Sequence, residues 1–134
     1  MPAGAVPWRA EVIGDKAYMS ALQGAPADVL WAYDFTTGTW DTSLPTLNVG
    51  RWDYELAFFG GRLYVAGGTA ADGSGSLTSV ESWVPGDTGW RIESALSVPR
   101  SEFGSGVIGD YLYVFGGYDK TTQTDTGSTE RLSN

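Results

Sequence analysis

Residues 60–68 read GGRLYVAGG and residues 109–117 read GDYLYVFGG, nearly the same phrase 49 residues apart. A period of that size restricts the chain to folds built from one supersecondary unit used repeatedly, each leaving an apolar face for its neighbour to cover. The match extends well beyond the phrase. Counted from Tyr64 and Tyr113, an arginine lies thirteen residues before (Arg51, Arg100) and a glycine pair three and four residues after (Gly67–Gly68, Gly116–Gly117). Glu81 and Glu130 fall at equal distance further on, and two residues later stand Trp83 and Leu132.

The N-terminal third is a worn copy. Val12–Tyr18 aligns with Phe58–Tyr64, and Leu30–Trp31–Ala32–Tyr33 takes the place of SVESW. Trp40 matches Trp90, each preceded by a Gly-Thr or Thr-Gly step. Ser20–Ala21 stands where a glycine pair is expected, and Ala5 stands at the arginine position. Three units follow, about 1–48, 49–97 and 98–134, read as a single segment over residues 1–134. In the middle unit short strands are predicted near 55–59, 62–66, 79–84 and 90–94, rich in Val, Tyr, Phe, Trp and Leu. Gly60–Gly61 suits a tight hairpin with positive φ, and Gly14–Asp15 and Gly109–Asp110 are given the same job. Pro85–Gly86–Asp87 and Asp34 to Gly38 mark later turns. Helical periodicity is nowhere sustained.

Four short antiparallel strands make a small twisted sheet that cannot hide both apolar faces alone. Radial stacking on neighbours solves this, and the result is a propeller. The units resemble kelch repeats: the pattern is carried by Arg51, Tyr64, Gly67, Gly68, Glu81 and Trp90, and recurs as Arg100, Tyr113, Gly116, Gly117 and Glu130. Trp83 replaces the usual third-strand tyrosine, which Tyr33 keeps. The resemblance implies an all-β, partial kelch-like propeller of about three four-stranded blades, the last lacking its fourth strand. Three arrangements follow: a stretch of a longer propeller, a chain that closes a ring with copies of itself, or an open stack. In the second, another chain's N-terminal segment is one source of the remaining strand, although two prolines in residues 1–8 make that segment poor ladder material.

Composition sets the function classes aside one by one. The formal net charge is −8, with eight scattered basic residues, so neither a nucleic-acid backbone nor an anionic membrane is an expected partner. Cysteine and histidine are both absent, which removes thiolate chemistry, imidazole bases and the common zinc ligand sets. Residues 1–15 hold no apolar run long enough for a signal peptide, and no stretch approaches 18 apolar residues, so a soluble chain is expected.

Candidate sites are weighed against the repeat. RLYVAGGTAADGSGS lacks the spacing of a phosphate loop, and Gly67 and Gly68 are read as letting the strand turn beside a bulky neighbour. Glu81 and Glu130 occur once per unit and so are read as serving it, with Arg51 and Arg100 as partners. Trp40 and Trp90 are read as packing wedges. Asp119, Thr121, Gln123 and Asp125 alternate oxygens but lack the glycine and glutamate of a calcium loop, so no metal or cofactor is expected. The cluster Trp52–Asp53–Tyr54–Glu55 reads as unrepeated, and a sugar stacking on Trp52 is the candidate ligand. Kelch-like proteins include copper-dependent sugar oxidases and sialic-acid epimerases, and the oxidase histidines have no counterpart here. The expected function is a non-catalytic interaction module whose partner is a protein or another copy of the chain. A carbohydrate-binding or sugar-converting module is the alternative.

Overall fold

The hairpins come first, because their turns set the register of everything else. In the computed structural model, which describes residues 4–23 and 26–134, Gly60 and Gly61 both adopt positive φ (56° and 76°), as a type I′ turn requires. At Gly14–Asp15 and Gly109–Asp110 only the glycine does, which is the II′ arrangement instead. Fifteen strands are described. They are β1 (Val6–Ile13), β2 (Lys16–Gln23), β3 (Trp31–Asp34), β4 (Thr39–Asp41), β5 (Arg51–Trp52), β6 (Glu55–Phe59), β7 (Arg62–Ala66) and β8 (Thr69–Ala70). There follow β9 (Val80–Trp83), β10 (Arg91–Ile92), β11 (Gly104–Ile108), β12 (Tyr111–Phe115), β13 (Tyr118–Asp119), β14 (Thr124–Asp125) and β15 (Thr129–Ser133). Among the described residues no helix is long and apolar enough to cross a membrane.

Three antiparallel sheets carry the fold, in the orders β1-β2-β3-β4, β6-β7-β9-β10 and β11-β12-β15. Both β1 and β11 lie against β6, so the first strands of the three sheets gather at one side while later strands fan outward. This is the arrangement of part of a β-propeller, with three strands in the third sheet among the described residues. In the middle unit the inner two strands coincide with those predicted, and the outer two are shorter, at 80–83 and 91–92.

The middle sheet explains why the stacking is needed. Side chains alternate across a strand, so Leu63 and Val65 enter one core while Tyr64 and Ala66 enter another. The first core joins them to Tyr18 and Ala32 of the first sheet and to Leu30 just before β3, and the second joins them to Leu112 and Val114 of the third. Leu63, Val65, Ala66, Leu112 and Val114 are fully buried. Each large aliphatic side chain removed from water contributes about 1.5–3 kcal/mol, so both faces of this sheet stabilise the stack.

Three local readings change. β1 includes Pro7, within the segment expected to pair poorly; the ladder shifts register on either side of it, and β1 is the edge of its sheet, where a missing N–H costs no hydrogen bond. Pro2 lies outside the described residues. Counted from Tyr18, the glycine positions fall on Ala21 and Leu22, one residue later than Ser20–Ala21, and without glycines β2 runs on to Gln23 while β7 stops at Ala66. Outside the predicted strands lie two further short ladders, β5 with β8 and β13 with β14.

Candidate functional site

The repeated arginine enters the second and third units just before the first long strand and turns its guanidinium inward. Arg51 donates from Nη1 to the carbonyls of Gly67 (3.1 Å) and Ser79 (2.8 Å), and from Nη2 to Glu81 Oε1 at 2.6 Å. Arg100 repeats this 49 residues on, reaching Gly116 (2.7 Å), Ser128 (3.0 Å) and Glu130 Oε1 (2.6 Å). Each glutamate also accepts from the linker entering its unit. Asn48 N (2.7 Å) and Val49 N (3.0 Å) donate to Glu81, while Ser97 N (2.5 Å) and Val98 N (3.1 Å) donate to Glu130. One ion pair thus ties linker, second strand and third strand together. Burial pulls the Arg51 guanidinium below the ordinary arginine range, opposed by the Glu81 charge. At Glu130 burial pushes upward, but the Ser97 and Val98 N–H groups and the Arg100 charge outweigh it and hold the carboxyl low.

The first sheet does without this pair. Register places Trp31 opposite Met19 where Glu81 stands opposite Val65, so a buried Trp31 takes the position of the glutamate. An apolar side chain has replaced an ionic one at the same place in the fold.

The glycine pairs are set by close approach. A Cβ on Gly67 (φ 57°) would lie 2.6 Å from the Arg100 carbonyl oxygen and 2.8 Å from the Phe103 ring, and one on Gly68 (φ 96°) 2.9 Å from Tyr54 Cβ. Gly117 meets Phe103 Cβ at the same 2.9 Å. Tyr54 and Phe103 therefore hold equivalent core positions, one in each apolar cluster.

The four residues Trp52–Glu55 go to separate places. Trp52 pairs with Thr69 in the β5–β8 ladder. Asp53, at φ 54°, accepts from Lys120 Nζ at 2.7 Å, and Lys120 also reaches Glu102 Oε1 at 3.1 Å. Tyr54 is buried, its hydroxyl pushed toward higher pKa by desolvation against the Ser20 hydrogen bond and the Arg51 charge. Glu55 takes Arg9 Nε at 3.2 Å. Glu102 shares the positive φ of Asp53 (55°) and stands 49 residues after it, a repetition legible in the sequence had WDY been aligned with SEF. Asp119, from the loop with alternating oxygens, caps its own turn through Thr121 N (2.9 Å) and Thr122 Oγ1 (2.8 Å). No group of three or more metal-ligating side chains occurs among the described residues.

The repeat implies two outer apolar sheet faces but does not name the residues on them. Cross-strand partners share a face, so Val12, Ala17, Met19, Trp31, Tyr33 and Trp40 lie together on the far side of the first sheet. None carries charge. Tyr33 packs edge-on against Phe35 (5.2 Å) and tilted against Trp40 (5.0 Å), and Phe35 is 58% exposed. On the far side of the third sheet lie Ile108, Tyr111, Tyr113 and Phe115, with Arg131 above the Tyr111 ring at 4.3 Å. Ile108 is 66% and Phe115 44% exposed. The equivalents of these residues inside the chain are covered. Tyr18 meets Trp83 of the next sheet edge-on at 5.8 Å, and Tyr64 enters the second core beside Leu112 and Val114.

The family model described as Kelch motif matches residues 99–133. The chain is 32% identical to Kelch-like protein 6 of Homo sapiens over 103 residues, which is 77% of this chain and 16% of that protein. It is 36% identical to an F-box/kelch-repeat protein of Arabidopsis thaliana over 98 residues, 73% of this chain and 25% of that protein. Over 92 residues it is 33% identical to Beta-scruin of Limulus polyphemus, covering 68% of this chain and 10% of the relative. The chain thus spans a quarter or less of the length of these relatives.

Proposed function

This chain belongs to the kelch-repeat family, and on that premise we propose that it is a non-catalytic interaction and scaffold module that joins further copies of itself, head to tail, through the outer faces of its first and third sheets. The observation that carries the reading is the pair of half-exposed aromatic faces on the first and third sheets, edged by the exposed Phe35 and Phe115, in a chain whose net charge is −8. One bears no charged residue and the other only Arg131. Exposed apolar patches on an otherwise charged protein mark contact surfaces. Their partners are prefigured inside the chain, since Tyr113 stands where Tyr18 and Tyr64 stand, and Tyr33 where Trp83 stands. Tyr113 of one copy therefore approaches Tyr33 and Trp40 of the next as Tyr18 approaches Trp83. Two copies of three sheets each would place six around one axis, with two equal heterologous interfaces. The carbohydrate alternative lacks comparable support, because Trp52, Asp53, Tyr54 and Glu55 face no common cleft.

Light scattering tests this. The parent chain is expected to run as a multiple of its monomer mass, and Tyr113→Glu and Tyr33→Glu each as a weaker associator. Mixing the two variants restores association through the one interface left intact, which an isologous contact would not do. A parent that stays monomeric at high concentration while folding cooperatively overturns the proposal.

A further inference from the structure

On the face of the first sheet turned toward the second, cross-strand neighbours form a short row, with Tyr18 opposite Ala32 and Ala32 opposite Asp41. Ala32 carries only a methyl group, so space stands open between the phenol and the carboxylate. The same row in the middle sheet is Tyr64, Ser82 and Arg91, and there it is filled. Ser82 Oγ bonds Arg62 Nε (2.9 Å) and Glu93, and the Tyr64 hydroxyl donates to Asn134 Oδ1 at 2.8 Å. Counted by the 49-residue period, the residue offered to Tyr18 in place of Asn134 is Pro85, whose side chain has no hydrogen-bonding group.

What results is a cleft of about 390 Å³ between the first and second sheets. Tyr18 and Trp83, edge-on at 5.8 Å, form its floor, and Leu44, Pro45 and Pro85 supply apolar walls. Tyr18 is 6% exposed, yet its hydroxyl has no hydrogen-bond partner among the described residues, a state that costs free energy until a ligand or water relieves it. Burial and the Asp41 charge push that hydroxyl toward higher pKa, so it stays protonated. Asp41 uses Oδ1 to accept from Ser43 N (2.9 Å) and Ser43 Oγ (2.7 Å), leaving Oδ2 open, and Asp87 brings a second carboxylate from the turn of the second sheet. Lys16 also lines the cleft, but its Nζ lies 3.9 Å from Asp34 Oδ2, so its charge is already met. The cleft is therefore anionic between apolar walls.

We infer that this cleft is a receptor for an arginine side chain presented by a partner protein. The aliphatic stem lies along Leu44 and the two prolines, as long cationic side chains do on apolar surface. The guanidinium donates to the Tyr18 hydroxyl oxygen and to Asp41 Oδ2, and its planar fork leaves further N–H groups for Asp87 on the other wall. An ammonium, a compact point charge, meets acceptors spread over two sheets less well. Asp41 stands where the middle sheet has Arg91, so the charge of the site belongs to this pair of sheets and not to the repeat. The cleft lies between two sheets of one chain, apart from the outer faces proposed to join copies, so the two readings fail separately.

The probe is the blocked tripeptide acetyl-Gly-Arg-Gly-amide, titrated into the intact isotope-labelled chain and followed by the Trp83 indole and Gly86 amide resonances, both at the cleft. Saturable shifts are expected. The citrulline peptide, which keeps the shape and loses the charge, should bind about tenfold or more weakly, with the lysine peptide in between. Free arginine, whose own carboxylate the two aspartates repel, should bind more weakly than the peptide. Tyr18→Phe and Asp41→Asn should each weaken binding about fivefold or more, and Tyr18→Phe, which breaks no existing hydrogen bond, should leave thermal unfolding unchanged. No saturable shift, equal binding of the arginine and citrulline peptides, or parent-like binding by both variants overturns the inference; so does free arginine binding more tightly than the peptide. Tyr33→Glu and Tyr113→Glu chains are expected to bind the peptide as the parent does.

Discussion

Replacing Glu81 with alanine removes half of an ion pair whose two side chains are both 0% exposed and whose Nη2 and Oε1 atoms lie 2.6 Å apart. What remains is a guanidinium in the core, still held by the Gly67 and Ser79 carbonyls but without a counter-charge. Asn48 N and Val49 N lose their acceptor in the same step. Breaking a buried pair from one side costs about 3–5 kcal/mol, a large share of the roughly 5–15 kcal/mol that holds a domain folded. The same change at Glu130 is a different experiment. That glutamate is 16% exposed, so water can replace it on Ser97 N and Val98 N, and the buried Arg100 keeps Ser128 Oγ at 2.7 Å from Nη2, so about 1–3 kcal/mol is expected. Arg51→Met with Glu81→Leu leaves no stranded charge and should be about 2 kcal/mol less damaging than Glu81→Ala alone. The first sheet, with a buried Trp31 in the glutamate position, is the natural precedent. Urea titrations followed by tryptophan fluorescence give all three values, provided the slopes agree. The reasoning is refuted if Glu81→Ala and Glu130→Ala cost the same, or if the double change costs more than the single one.

Two further outcomes follow from the same geometry. Glu130 is held below its ordinary value of 4.5, so its contribution to stability is complete above that pH and drains away as pH falls below it; the melting temperatures of Glu130→Gln and the parent should differ most near neutrality and draw together as pH falls below 4.5. Gly61→Ala meets no atom within 4 Å and should cost about 1–2 kcal/mol from its positive φ alone, whereas Gly67→Ala drives a methyl group against the Arg100 carbonyl and Phe103 and should cost about 3 kcal/mol or more. Equal losses in thermal melts of the two would show that close approach is not what selects the glycine pair.

What residue order alone determined is whatever the repeat carries. The 49-residue period located the hairpins, the inner strands of the middle unit and the matched Arg51, Glu81, Arg100 and Glu130. A residue kept at the same phase of two units answers the same local geometry twice, and that is visible without coordinates. The tertiary structure alone decided which residues face each other across units. Trp52, Asp53, Tyr54 and Glu55 read as one polar-aromatic cluster, yet the chain turns at Asp53 with positive φ, and four neighbouring elements claim them. The aromatic faces around Tyr33 and Tyr113 were hidden for the converse reason. Tyr18, Tyr64 and Tyr113 are the same letter at the same phase, and only stacking determines which of them a neighbouring sheet covers.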